Sequence, residues 1–177
     1  ATVADTLCDP SVTEPIPALP IDPPTLTMTF FVNTSPLAGK SGKKLTSRMI
    51  GERLFKEAET NIALNVEQSE NNEAFEVSGR GELQLGILIE TMRREGFELS
   101  VSRPRVIMQQ NENGEKLEPI EEVVIDVDDE FSGVVIEKMT KRKATITEMK
   151  PSGIGKTRIV FSAPSRGLIG YLSEFRT

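Results

Sequence analysis

The chain has 177 residues, of which 37% are hydrophobic and 27% charged, and its net charge is −6. This length allows one large or two small domains, and no stretch approaches the roughly 18 apolar residues of a membrane span. Histidine is absent and Cys8 is the one cysteine, which excludes an intrachain disulfide, metal sites rich in nitrogen and sulfur, and catalysis by a histidine base. The N-terminus lacks the basic and apolar regions of a secretion signal, so we expect a reducing, cytosol-like compartment.

Composition divides the chain into parts. Residues 9–24 hold six prolines and no hydrophobic periodicity, which predicts an extended linker. Residues 131–177 carry nine Lys/Arg against three Asp/Glu, a net charge of +6, whereas residues 1–130 carry 12 against 24, a net charge of −12. We therefore expect the C-terminal part to be a separate basic region that meets an anionic partner.

After the linker, hydrophobic periodicity predicts a first folded unit. Alternation with a period of two indicates half-buried strands, and apolar residues three or four positions apart indicate helices. Thr46 or Ser47 can cap the first helix, and Gly96 can end the second. The predicted elements are a strand at 25–33, a helix at about 47–59, a hairpin of strands at 62–66 and 75–77 around a polar turn at 69–73, a helix from about Glu82 to Gly96, and a strand at 97–101.

The same order begins again after Pro104 but stops early. A strand at 123–127, a helix at about 132–142, strands at 144–149 and 156–162, and a helix starting at Pro164-Ser165 are predicted, with no final strand before Thr177. The fold class is therefore α+β, two tandem ferredoxin-like (βαββαβ) sandwiches of which the second lacks its last strand. Because that strand would pair beside the first, we expect the strand at 123–127 to expose an edge open to self-association.

The triplet Gly-Lys-Ser at 39–41 lies between a strand and a helix, as a nucleotide-binding phosphate loop would. That motif requires a glycine five positions before its Gly-Lys-Ser/Thr glycine, but Thr34 stands there, and residues 42–44 separate the triplet from the helix. We interpret the triplet as a chance match. What remains is a basic loop whose glycines make it flexible. Positive charge beside a helix N-terminus nevertheless suits phosphate, and the residues that supply it are Lys40, Lys43, Lys44 and Arg48.

An acidic cluster at 126–130 is a candidate cation site. It lacks the glycine turn and the distal glutamate of a calcium loop, so an acidic cap before the following helix is the favoured interpretation. We predict no metal ligands and no catalytic residues.

Three stretches, in this order, resemble the BipA (TypA) family of ribosome-associated translational GTPases. They are NTSPLAGKSGKKLTSR at 33–48, VSGRGELQLGILIETMRREGFELSVSRPRVI at 77–107 and APSRGLIGYLSEF at 163–175. Within the second, SGRGELQL is similar to a glycine–x–glycine–glutamate–leucine turn in the third domain of EF-G elongation factors. Gln84 and Ala144 depart from the histidine and glycine that the family pattern has at these positions.

The resemblance implies that this is part of a larger protein. Residues 1–24 would match the end of a β-barrel domain and its linker, 25–104 the EF-G domain III, and 105–177 a truncated EF-G domain V. The GTPase domain is absent from such a fragment, so it would have no enzyme activity and no cofactor, while GTP and magnesium belong to the parent protein.

The resemblance also implies a cytoplasmic protein that docks on the ribosome, contacts ribosomal RNA of the large subunit, and acts in subunit assembly and the response to stress or cold. No membrane or DNA partner is expected. Arg166 stands near a helix N-terminus, where the dipole disfavours a cation, which favours an external anion. The candidate RNA-binding residues of the basic region are Lys138, Lys141, Arg142, Lys143, Lys150, Lys156, Arg158 and Arg166.

Two other functions stay open. The chain could be a domain III and V piece of an elongation factor proper, or a pair of ferredoxin-like domains that senses a small ligand and dimerises through sheet edges. Base stacking on the open sheet face, a common mode of RNA recognition, is disfavoured because Glu76 and Ser78 point outward from the third strand.

Overall fold

The structure is a computed structural model that describes residues 5–17, 21–70 and 73–176, and it divides the chain into the units Ala1–Arg105 and Val106–Thr177. The described residues of the predicted linker, 9–17 and 21–24, form neither helix nor strand. Residues 18–20 of the linker and 71–72 of the polar turn lie outside the described residues. None of the described helices is long and apolar enough to cross a membrane.

The first unit has the predicted βαββαβ order. Its strand order is β2-β3-β1-β4 with antiparallel pairing, so the last strand lies beside the first, as in a ferredoxin-like sheet. The elements are β1 (Leu26–Val32), α1 (Ser47–Thr60), β2 (Asn65–Gln68), β3 (Ala74–Gly79), α2 (Glu82–Arg94) and β4 (Leu99–Val101), and a short strand β5 (Arg105–Val106) follows.

Alternation along β1 and β3 builds the core of this unit. Phe30 pairs with Phe75 across the two strands, and both side chains are buried. On the opposite face Thr29 pairs with Glu76, and its hydroxyl donates to that carboxylate at 2.8 Å. The helices cover the buried face with Ile50, Leu54, Leu85, Leu88 and Met92, each of which contributes about 1.5–3 kcal/mol when fully buried.

The ends of both helices follow the predicted signals. The Thr46 hydroxyl accepts the N–H of Met49 and caps α1. At the end of α2, the N–H groups of Gly96 and Phe97 donate back into the helix, and Gly96 has a φ of +87°, a conformation that glycine adopts without strain. The predicted strand at 62–66 starts later, at Asn65, because a turn after α1 leaves Ile62 45% exposed.

The second unit has a sheet of order β8-β10-β9, antiparallel throughout. Its core holds Ile125, Met139, Ile159, Phe161 and Tyr171. The elements are a hairpin of β6 (Gln109–Gln110) and β7 (Lys116–Leu117), then β8 (Ile120–Asp128), a 3-10 turn (Asp129–Phe131), α3 (Ser132–Lys141), β9 (Thr145–Gly153), β10 (Lys156–Pro164), α4 (Ser165–Leu168) and α5 (Tyr171–Arg176).

Among the described strands of this sheet, β8 pairs with β10 and with no strand on its other edge. This agrees with the predicted loss of the fourth strand. Val124, near the middle of β8, is 52% exposed, and self-association through this edge stays a prediction.

The predicted helix from residue 165 is interrupted. It ends at Leu168, and α5 starts at Tyr171, because Ile169 leaves the helical region and Gly170 has a φ of +76°. The break frees the carbonyl groups of Gly167 and Ile169 to accept hydrogen bonds from Arg142.

The expected separate basic region does not exist in the folded unit. The unit Val106–Thr177 contains ten Lys/Arg and twelve Asp/Glu, a net charge of −2. The acidic strand β8 folds beside the basic strand β10, so the excess positive charge of residues 131–177 is neutralised locally.

Candidate nucleic-acid interface

The loop that contains the Gly-Lys-Ser triplet encloses an anion, and that anion is the carboxylate of Glu98. One oxygen of Glu98 accepts the N–H of Gly39 at 2.9 Å, and the other accepts those of Ser41 at 2.8 Å and Gly42 at 3.1 Å. The amide of Asn33 donates to the first oxygen at 2.7 Å. The Glu98 side chain is buried, with 8% of the residue exposed. These donors, led by the N–H groups of Gly39 and Ser41, hold the pKa of Glu98 below its ordinary value of 4.5.

The following residues are also held in place. The N–H groups of Lys43 and Lys44 both donate to the carbonyl of Gly96 at 3.1 Å. A Cβ at Gly42 would lie 2.7 Å from that same oxygen, so only glycine allows this approach. The prediction of a flexible loop is therefore wrong, because hydrogen bonds to Gly96 and Glu98 fix the backbone.

The four cations predicted in this loop and at the start of α1 have different surroundings. Lys40 and Lys43 are exposed, and neither forms an ion pair within the described part of the chain. The ammonium group of Lys44 lies 4.6 Å from the centre of the Phe97 ring. Arg48 pairs with Glu52 on the surface of α1 at 2.8 Å. Lys40 and Lys43 are thus the free charges of the loop.

A cleft of about 530 Å³ separates this loop from α2. Lys40 and Arg93 are among its lining residues, together with the apolar side chains of Leu37 and Ile89. Arg93 was missed by sequence reasoning, although the basic pair at the end of α2 was a visible signal. Arg93 and Arg94 both pair with Glu90, whose pKa they lower to about 2.

Most of the predicted cations in the second unit have acidic partners. Arg158 forms two hydrogen bonds with Asp126, at 2.9 and 2.7 Å, and these contribute most to lowering the pKa of Asp126 to about 2. The remaining pairs are Lys138 with Glu174, Lys141 with Glu137, Lys150 with Glu148, Lys156 with Asp128 and Arg166 with Glu118.

Arg142 and Arg166 also have partners within the chain. The Arg142 guanidinium donates to the carbonyls of Gly167 and Ile169 at 2.8 and 3.1 Å, binds Glu174 at 2.9 Å and lies 5.2 Å from the centre of the Tyr171 ring. Arg166 pairs with Glu118, so an anion within the chain balances the cation whose position favoured an external anion.

Lys143 differs from its neighbours in the basic region. Its side chain forms no ion pair with any described residue, and its backbone φ is +69°. The N–H groups of Lys143 and Ala144 donate back to Thr140 and Met139 and close the end of α3. Glycine is the usual residue at such a position. The Lys143 ammonium group is therefore carried by a residue whose backbone is strained.

Acidic side chains of the cluster at 126–130 contact other side chains of the same chain. Asp126 and Asp128 pair with Arg158 and Lys156, and the Thr157 hydroxyl donates to Asp129 at 2.5 Å. Across residues 5–17, 21–70 and 73–176, no group of three or more acidic or sulfur side chains is placed to hold a metal ion.

Comparison with known proteins identifies the family. A family model described as elongation factor G C-terminus matches residues 115–177. Proteins named large ribosomal subunit assembly factor BipA, from Salmonella typhimurium and Escherichia coli K12, are 53% and 52% identical to 99% of this chain, and the Bacillus subtilis protein of that name is 50% identical over 98%. This chain belongs to the BipA family. It spans 29%, 29% and 28%, respectively, of the length of these curated relatives.

A solved structure supports the fold of this BipA-family chain. A crystallised protein from Thermus thermophilus superposes with a TM-score of 0.50 over 89% of this chain and 38% of the other, at 14% identity. This likeness concerns the fold alone, and with the elongation factor G match it confirms the tandem ferredoxin-like class.

The departure of this BipA-family chain at Gln84 has a structural role. The Gln84 side-chain oxygen accepts the N–H of Arg80 at 2.8 Å, and its amide donates to Asn61 at 3.4 Å. A Cβ at Gly79 would lie 2.8 Å from that oxygen. Gln84 therefore closes the turn before α2, as a turn-forming residue would.

Proposed function

We propose that this chain is the ribosome-docking part of a BipA-type translational GTPase that acts in large-subunit assembly and the response to stress or cold in the cytoplasm. Its roughly 50% identity to large ribosomal subunit assembly factors over nearly its whole length carries the proposal. Residues 1–24 correspond to the end of a β-barrel domain and a linker, 25–104 to an EF-G domain III, and 105–177 to part of a domain V. GTP hydrolysis with magnesium belongs to another part of the parent protein.

The proposed contact is with phosphate groups of large-subunit ribosomal RNA. All predicted cations remain candidates, but Lys40, Lys43 and Lys143 dominate because they are exposed and carry charge without an acidic partner among the described residues. Lys44 also lacks such a partner, but its ammonium group lies against the Phe97 ring. A paired cation such as Lys141 must release Glu137 before it neutralises a phosphate, which lowers its net contribution. Such contacts position the protein without reading base sequence.

Co-sedimentation of the 177-residue chain with purified large ribosomal subunits over a range of salt concentrations tests this function. We expect binding that weakens with salt, and the triple variant Lys40→Gln, Lys43→Gln, Lys143→Gln should reduce the slope of log K against log salt by roughly 0.7–0.9 per lysine. The matched control is the triple variant Lys141→Gln, Lys150→Gln, Lys156→Gln, which removes three lysines that are paired with acids and should lower the slope less. Binding that does not depend on salt, or a triple variant that binds like the control, contradicts the phosphate contacts.

A further inference from the structure

We propose that the cleft between the 33–46 loop and α2 binds one unpaired nucleotide of RNA, with its phosphate between Lys40 and Arg93 and its base against Leu37 and Ile89. The inference rests on the proposed function, because it names the RNA element that this part of the surface recognises. The cleft measures about 530 Å³, which lies within the size range of small-molecule sites.

The cleft combines an apolar floor with a basic rim. Leu37 is 61% exposed, and Ile89 and Leu99 are half-buried along the same lining. Exposed apolar side chains in a concave surface favour a ligand with an apolar face. An unstacked base has such a face, whereas a base inside a duplex does not expose it.

The charge of the rim is positive. Lys40 has no ion pair among the described residues, and Arg93 shares the single charge of Glu90 with Arg94. Glu98 also lines the cleft, but both its oxygens already accept hydrogen bonds from the loop. The positive ends of those donors offset its charge, so a phosphate at the rim meets a net cationic surface.

Glu98 is a positioning residue for this site. Its carboxylate fixes the backbone on both sides of Lys40 through Gly39 and Ser41, so the ammonium group projects from a rigid support. A preorganised loop loses less conformational entropy when a ligand binds. The loop thus occupies the place of a phosphate loop between a strand and a helix. Its backbone encloses the Glu98 carboxylate instead of a phosphate, and the proposed nucleotide lies in the cleft beside the loop.

Amide NMR spectra of the 177-residue chain, titrated with a ten-nucleotide oligouridylate, test the proposal. We expect shifts at residues 33–44 and 89–99, and binding about tenfold weaker for Lys40→Gln with Arg93→Gln. That variant should lower the salt slope by about 0.7 per charge for a single strand. Leu37→Ser should weaken binding with an unchanged salt slope, and Arg176→Gln is the surface control.

Three results would overturn the nucleotide site. These are an absence of shifts in the cleft, equal shifts with an RNA duplex, and cleft shifts with a ten-residue acidic peptide but not with oligouridylate, which would assign the cleft to a protein partner. Co-sedimentation separates this outcome from the proposed function. Chemical-shift changes in the cleft without ribosome binding would uphold the nucleotide site and refute the docking function. Ribosome binding without chemical-shift changes in the cleft would uphold the docking function and refute the nucleotide site.

Discussion

The carboxylate of Glu98 accepts the backbone N–H of Gly39 at 2.9 Å, although 59 positions separate the two residues. This contact joins the residue before β4 to a loop that follows β1. It converts a glycine-containing segment into a fixed support for Lys40. The charge that could contact RNA therefore depends on a buried acid elsewhere in the chain.

Replacing Glu98 with Gln should loosen the loop. The glutamine side chain would replace one carboxylate oxygen with an NH2 group. That donor would face two of the four groups that donate hydrogen bonds to Glu98. We expect a lower Tm and faster hydrogen exchange at Gly39, Ser41 and Gly42. Glu52→Gln, which removes only an exposed pair with Arg48, is the control, and equal exchange in both variants would contradict the positioning role.

The effect of Glu98 should also depend on pH. Because its folded-state pKa lies below 4.5, its hydrogen bonds stabilise the fold fully above the unfolded pKa, and this stability is lost as the pH falls through the folded pKa. The Tm difference between the unmodified chain and Glu98→Gln should be largest near pH 7 and shrink in acid. A difference that grows on acidification would show the opposite sign of the pKa shift.

Gly42→Ala and Gly86→Ala should change stability in opposite directions. A Cβ at Gly42 meets backbone atoms of Gly96 and Glu98 at 2.7–3.0 Å, whereas nothing lies within 4 Å at Gly86 in α2. We expect a loss of about 1–3 kcal/mol for the first and a gain of about 0.5–1 kcal/mol for the second. Urea unfolding measures both, and a neutral Gly42→Ala would refute the fixed loop.

Arg142→Gln should destabilise the second unit, by about 2–4 kcal/mol. The change removes hydrogen bonds to Gly167, Ile169 and Glu174 and the stacking on Tyr171. Thermal unfolding would measure this loss, with Lys150→Gln as the control on the exposed strand β9. Normal stability with reduced RNA binding would instead assign Arg142 directly to the interface.

Lys143→Gly should stabilise the fold and weaken RNA binding together. Glycine relieves the strain at a φ of +69° by about 1 kcal/mol, and it removes an unpaired charge. Lys143→Gln separates the two effects, because glutamine removes the charge but keeps a side chain that disfavours the positive φ. Urea unfolding and filter binding of RNA are the two measurements, and a Lys143→Gly variant with unchanged RNA binding would exclude Lys143 from the interface.

Glu90→Gln should strengthen the binding of single-stranded RNA. Arg93 and Arg94 both pair with Glu90, so its neutralisation frees Arg93, which lines the cleft, and the neighbouring Arg94. Fluorescence anisotropy with oligouridylate should show tighter binding and a steeper salt slope, by up to about 0.7 per added contact. Glu59→Gln, which removes one exposed carboxylate of α1 without freeing a paired cation, is the control, and weaker binding in Glu90→Gln would contradict the nucleotide site.

The sequence by itself determined the order of the main elements and the apolar faces that form the cores, but not the short strands β5, β6 and β7 or the break at Gly170. Alternation in β1 and helical spacing in α1 and α2 are properties of near neighbours in the chain, so the buried faces with Phe30, Leu54 and Leu85 were predictable. Thr46 and Gly96 likewise mark helix ends through local hydrogen bonds.

Tertiary structure alone decided which charges are free. The partners of Gly39, Arg158 and Arg142 lie 59, 32 and 25–32 positions away along the chain, and only strand register and loop closure bring them together. Local periodicity carries no information about such pairing. The composition therefore indicated a basic region at 131–177, while the folded chain pairs most of its cations with acids. Among the predicted RNA-binding residues, Lys40 and Lys43 of the first unit and Lys143 of the second are exposed and form no ion pair with a described residue.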